Sequence, residues 1–396
     1  MNRTRLIAAL LTAQMLLTSV SCSVSKPARL PENSSTATSD SVTTEPKEPD
    51  EKVISILNEI VSQNASGQKG VNQWNAQSSM FIDGLLYASV QCEFTGGSSA
   101  PTLAELNPET GRFRPICRDP LCNHLQESCV QSEVLAIGYV FAEGRLFELG
   151  LNTIGIVDVK KGKRTRICNW GNSNAGCGYI AYDGGYIYFV APTSDNTNEM
   201  YRFPVTVDKP EQISHMDDRI VNFTVFDGKV MFCNENWTLK CAKTDFSDVT
   251  TIGEKATVML SDNGRFFFFE EEPMVDYIYR ATLLEADVDN KKVKGKLTGD
   301  ILGADIFLQD GVFYYAKSAF AETQEIYTYD LETNTESLLL TLDLPDKYTQ
   351  IWVFGVYGDY LLLQLLLDDS RYGTNKYFFV KKDGSVSAEI GFEGFM

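Results

Sequence analysis

Histidine is nearly missing from this chain: only two of its 396 residues are histidine, His124 and His215. Ser-His-Asp and Cys-His machinery therefore has almost nothing to work with. His215, in "QISHMDD", reads as a solvated residue at a junction between repeats. The chain also lacks a Gly-x-Ser-x-Gly elbow, a His-Glu-x-x-His helix and a glycine-rich phosphate loop, which removes the common signatures of hydrolases, zinc proteases and nucleotide enzymes. Positive charge is short as well. A formal charge of −18 leaves no basic stripe for a phosphate backbone, so nucleic acid is excluded as a partner. Helical periodicity is scarce, and the one long apolar run lies at the N-terminus.

That run carries an address. Arg3 and Arg5 precede "LIAALLTAQMLLTSV", which is short for a membrane span and interrupted by Gln14, so residues 1–21 are expected to be a signal peptide. Ser21 then stands directly before Cys22, as in a lipobox whose cysteine is acylated, although Ser19 occupies the place where an aliphatic residue is usual. Ser19 and Ser21 equally suit ordinary signal peptidase. Residues 22–50 hold no aromatic side chain and are rich in Ser, Thr and Pro; they cannot bury enough apolar area to offset ordering, and read as a tether. Lipid anchorage through Cys22, on the bacterial cell surface, is the expectation.

Beyond the tether, Val53, Ile56, Leu57, Ile60 and Val61 fall at helical spacing, predicting a short amphipathic helix at the start of a lead-in over residues 51–77. From there a phrase recurs: "FIDGLLYASV", "AYDGGYIYFV", "VFDGKVMFCNEN", "LQDGVFYYAK". Asp-Gly favours positive φ and closes tight hairpins, and the flanking alternation is that of strands. The marker glycines are Gly84, Gly144, Gly184, Gly228, Gly264, Gly311 and Gly358; they span 274 residues in six steps, about 46 per step. That period belongs to four-stranded propeller blades. The expected fold is all-β, a β-propeller over residues 78–396 with seven four-stranded blades, six or eight being the alternatives. Pro204, inside "MYRFPVTVDKP", predicts an edge strand at that point.

Nine cysteines are many for a reduced cytosolic protein. "CRDPLCNHLQESC" places Cys117, Cys122, His124 and Cys129 together. Three thiolates and an imidazole make a sensible zinc shell, while disulfides are the alternative that export favours. If the intervening hairpin centres on Trp237, Cys233 and Cys241 oppose each other as a disulfide pair. Cys168 and Cys177 bracket a blade junction and form a second candidate pair; Cys92 has no evident partner. No organic cofactor motif is present.

The Cys117, Asp119, Pro120, Leu121, Cys122, His124 run, the lipoprotein-type start, the tether and the Asp-Gly-aromatic repeats together resemble β-propeller lipoproteins of gut Firmicutes. The resemblance covers nearly the whole chain and implies a propeller at the cell surface, with no activity attached. Two functions stay open. One is a binding or scaffold module for a glycan, peptide or protein. The other is a secreted carbohydrate-active enzyme, hydrolase or lyase, with acidic residues at the channel mouth.

Overall fold

Each recurring phrase folds as a two-residue turn between adjacent antiparallel strands. Asp83 and Gly84 have φ of 51° and 81°, Asp227 and Gly228 50° and 68°, and Asp310 and Gly311 51° and 76°. This is the mirror-image turn whose twist matches paired strands. The computed structural model describes residues 48–396 apart from 64–78, 94–98, 120, 123–128, 131–135, 151–152, 170–179, 193–196, 207–210, 217–218, 263–264, 272–280, 288, 290–291, 300–305, 318–322, 344–347, 368–374 and 394–396. The signal peptide, Cys22, His124 and Cys177 lie outside the described residues, as do the side chains of Cys92 and His215.

The strands form a propeller of seven four-stranded antiparallel blades: residues 79–115, 136–169, 180–216, 220–253, 256–299, 307–343 and 348–392. Every blade is one contiguous stretch of chain, its strands hydrogen-bonded in sequence order. Together with the helix they belong to one compact unit, Pro49–Met396.

The strict alternation of large side chains follows from burial on both faces. In blade six, Tyr314, Ala316, Ile326 and Leu340 join Ile351, Val353, Leu361 and Leu363 of blade seven. The intervening positions Phe313, Tyr315 and Tyr329 join Phe267, Phe269 and Leu283 of blade five. A sheet so patterned keeps neither face dry alone. Each large side chain covered contributes about 1.5–3 kcal/mol, so every blade requires two neighbours. The turns also tie blades directly: the Asp183 carboxylate accepts from the backbone N–H groups of Asp227 (3.1 Å) and Gly228 (3.0 Å) in the next blade.

Blades seven and one meet differently. Their outermost strands pair in parallel, Gly391 with Arg112 and Phe392 with Phe113, so that two blades merge into one eight-stranded sheet. The expected helix forms over Glu51–Ser62, capped by the Asp50 carboxylate on the Val53 N–H at 3.1 Å. Its apolar face, Val53, Ile56, Leu57 and Ile60, shares a cluster with Phe81, Leu86 and Phe113 of blade one and Phe354, Tyr357 and Tyr377 of blade seven. Its far end is pinned to blade seven by Tyr360, which donates to Glu59 at 2.7 Å, and by Lys381, 3.3 Å from the same carboxylate. Its start is pinned to blade one, where the Asp50 N–H donates to the Thr110 carbonyl at 2.9 Å.

Two expectations are corrected. The Pro204 strand, Asn198–Pro204, is the third of its blade and lies between two others. Proline is tolerated there because it ends the strand: pairing with the outer strand stops at Arg202, and Pro204 faces only Tyr186. The Cys233–Cys241 hairpin centres one residue earlier than Trp237. The Asn234 side chain accepts from the N–H groups of Asn236 and Thr238, both at 3.1 Å, and this turn sets Cys233 opposite Leu239 and Cys241 opposite Met231. The two cysteines share a face but are out of register, and no two described cysteines lie at disulfide distance. Cys233 is a buried thiol, pushed up to about 12 by burial, with its sulfur 3.3 Å from the Ala256 carbonyl.

Candidate metal centre at the junction of blades one and two

Three of the four residues singled out in "CRDPLCNHLQESC" converge. The sulfurs of Cys117, Cys122 and Cys129 lie within 4.8 Å of one another, with Cys117 and Cys129 buried and Cys122 half-buried. Cys117 follows the last strand of blade one (Arg112–Pro115). A turn on Asp119 then brings the chain back: its carboxylate accepts from the Leu121 N–H and its carbonyl from the Cys122 N–H, each at 3.0 Å. Cys129 is seated on blade two, in an isolated bridge to Lys163, and the Val130 N–H donates to the Gly162 carbonyl at 3.3 Å.

Gly162 is required here. Its φ is +61°, and a Cβ at that position would sit 2.7 Å from the Cys117 α-carbon and 2.8 Å from the Ile116 carbonyl. Only glycine lets the two blades come this close.

Two buried carboxylates lie at the same junction, one per blade. Glu105 is 1% exposed and meets Arg114 and Arg118, each at 2.5 Å. Glu148, 2% exposed, is paired with Arg164 by two hydrogen bonds, one of 2.7 Å. Arg164 reaches on to the carbonyls of Cys129 (3.1 Å) and Val130 (3.5 Å), so one guanidinium links the blade-two carboxylate to the cysteine loop. A tyrosine backs each pair: Tyr87 lies 3.4 Å from Glu105 and Tyr139 3.5 Å from Glu148. Burial first, and then the adjacent carboxylate, hold both phenols well above their ordinary range.

Three convergent thiols, two of them buried, form a group that could bind a metal ion. Sequence alone identified the sulfurs but missed Glu105, Glu148 and Arg164. A signal was present: "LAELN" and "LFELG" each put one carboxylate inside an otherwise apolar strand, where it requires a partner.

The fold has solved counterparts. An oligogalacturonate lyase in complex with manganese superposes with a TM-score of 0.52 at 9% identity, over 79% of this chain and 88% of that one. A puromycin hydrolase, the S511A mutant complexed with PGG, gives 0.51 at 11% identity, over 84% of this chain and 55% of that one. An oligogalacturonate lyase from Vibrio parahaemolyticus gives 0.49 at 12% identity, over 78% and 90%. Identities this low establish the likeness of fold alone. No family model and no curated relative matches the chain.

Several other described acids sit in ion pairs or turns. Every carboxyl group whose titration is displaced among the described residues is displaced downward: Glu59, Asp158, Asp245, Glu285, Asp330, Glu336 and Asp383. Glu285 moves furthest, to about 2, held by a two-pronged Arg265 pair (2.7 and 3.0 Å) and by Lys296 at 2.8 Å. Its folded pKa lies below the ordinary 4.5, so the stabilisation is present above about pH 4.5 and is lost as pH falls toward 2. Glu285→Gln is therefore expected to flatten the acid limb of stability in that window, as measured by urea midpoints at successive pH values.

Proposed function

We propose that the chain is a lipid-anchored, extracytoplasmic binding head of the lipoprotein kind resembled by its sequence. In this proposal the signal peptide is removed, Cys22 is acylated, residues 23–50 space the propeller from the membrane, and the propeller engages a glycan, peptide or protein. No helix among the described residues is long and apolar enough to cross a membrane, and the anchor in this scheme is the lipid.

What favours binding over catalysis is the sequence: two histidines and none of the common catalytic motifs leave little material for acid–base or nucleophilic machinery. The second function, a carbohydrate-active enzyme, draws support from the likeness of fold to the manganese-bound oligogalacturonate lyase. One experiment separates them: the purified head is applied to a glycan array and incubated with uronate and neutral oligosaccharides, with and without manganese. Retention on the array without new reducing or unsaturated ends is expected. Metal-dependent cleavage of any oligosaccharide would transfer the protein to the enzymes.

The finer proposal for the cysteine centre is a structural zinc ion held by Cys117, Cys122 and Cys129, with His124 as the fourth ligand expected from sequence. The ion clamps the end of blade one to the Gly162 turn of blade two. One zinc per chain is expected after purification under reducing, metal-replete conditions, and Cys129→Ser is expected to lose it. A metal saturated at 100 to 1,000 times its Kd adds roughly 3–4 kcal/mol, which chelation should remove from the unfolding free energy. Zinc-free protein from the same preparation would end the proposal.

A further inference from the structure

The three cysteines at the junction of blades one and two differ in a way that metal binding alone does not require. Cys117 is 7% exposed and Cys129 0%, whereas Cys122 is half-buried and follows Leu121, which is 92% exposed. The two buried residues are also held by the blades. The Cys117 backbone packs directly on Gly162, where an added Cβ would lie 2.7 Å from its α-carbon. Cys129 is bridged to Lys163, and its carbonyl accepts from Arg164 at 3.1 Å. Cys122 instead ends a turn whose two bonds, to the carboxylate and the carbonyl of Asp119, are internal to the loop. One thiol is thus open to solution on a local turn, and two lie behind it with all three sulfurs within 4.8 Å of one another.

An accessible thiolate with a second thiolate behind it is the arrangement that a hydroperoxide converts to a disulfide. The Cys122 thiolate attacks one peroxide oxygen: an S–O bond forms, the O–O bond breaks and hydroxide leaves. The thiolate of Cys117 or Cys129 then attacks the sulfenic acid, so that an S–S bond forms, the S–O bond breaks and a second hydroxide leaves. Two thiolates have given up two electrons and the peroxide has taken them. The sulfurs must close to about 2.05 Å, a shift that falls to the loop because its turn is bonded to neither blade. Whichever buried sulfur answers, a disulfide containing Cys122 ties the loop to one blade only, and the single thiol left over is too few to hold zinc. We propose that Cys122 is a modification site for hydroperoxides, at which oxidation expels the metal and removes the sulfur link between blades one and two. The inference rests on the zinc proposal and gives that site its regulation.

The test adds hydrogen peroxide in stoichiometric steps to the zinc-loaded full chain. Zinc release is followed with a chromogenic chelator, and the cysteines by peptide mass spectrometry. One zinc released and one disulfide containing Cys122 are expected for each peroxide consumed, both reversed by dithiothreitol with added zinc. Cys122→Ser is expected to lose the fast reaction, since Cys117 and Cys129 then react only through local opening, while Cys168→Ser, outside the trio, keeps it. If Cys122→Ser fails to fold, a brief limiting pulse of iodoacetamide on the chelator-treated wild type carries the test, and Cys122 is expected to be labelled before Cys117 and Cys129. Equal labelling of the three, a Cys117–Cys129 disulfide, or peroxide treatment that leaves the three thiols intact would overturn the site. The two proposals fail separately: a disulfide containing Cys122 in protein that never held zinc rejects the metal and keeps the oxidation site, whereas bound zinc that survives peroxide does the reverse.

Discussion

Arg164→Ala is expected to lower the unfolding free energy by about 3–5 kcal/mol, the range for removing one partner of a buried ion pair. The arginine side chain is 7% exposed and Glu148 2%. Without the guanidinium, the Tyr139 hydroxyl at 3.5 Å is what that carboxylate keeps among the described residues. The same change removes the guanidinium's bonds to the carbonyls of Cys129 and Val130, so the cysteine loop's seat on blade two weakens while its backbone bonds to Lys163 and Gly162 stay. Urea unfolding measures the first effect and zinc content the second. Pairing Arg164→Met with Glu148→Leu removes both charges together and is expected to recover most of the loss, because the cost lies in the charge left behind. Equal destabilisation in the single and double variants would show that packing, rather than the ion pair, holds this junction.

Ile60→Asp is the second large effect. Ile60 is fully buried in the cluster that joins the helix to blades one and seven, and a carboxylate there has no cation facing it from the apolar residues of that cluster. A cost of about 4 kcal/mol or more is expected. A 12-residue helix released from its groove does not persist in water, so the seam should loosen as a unit. Hydrogen exchange is expected to accelerate in the helix, in Ser79–Ile82, Arg112–Pro115 and Ser387–Phe392, while blades three to five keep their protection. Uniform acceleration around the ring would show that the helix is not the clasp of this seam.

Both effects sit at junctions of blade one with its neighbours, and the two junctions are held by different means. The seam with blade seven has a helix and a parallel strand pair. The seam with blade two has a cysteine loop, a close-approach glycine and an arginine that reaches across. The first interval of the repeat is the longest, 60 residues from Gly84 to Gly144, because the extra chain is the cysteine loop.

The blade repeat, its strand alternation and the short amphipathic helix were legible in the sequence, because each depends on local chemistry. Asp-Gly turns need positive φ wherever they fall, side chains alternate along any strand, and an apolar stripe at helical spacing has one use. The cysteines were legible as a set, but their pairing was not. Whether Cys233 meets Cys241 depends on which residue closes a hairpin, and the Asn234 side chain moved that centre by one position. Convergence of Cys117, Cys122 and Cys129 depends on how closely blade two approaches, which Gly162 and Arg164 decide from beyond the loop. Periodicity is written within a few residues of chain, whereas partnership is settled by distances between residues far apart in it.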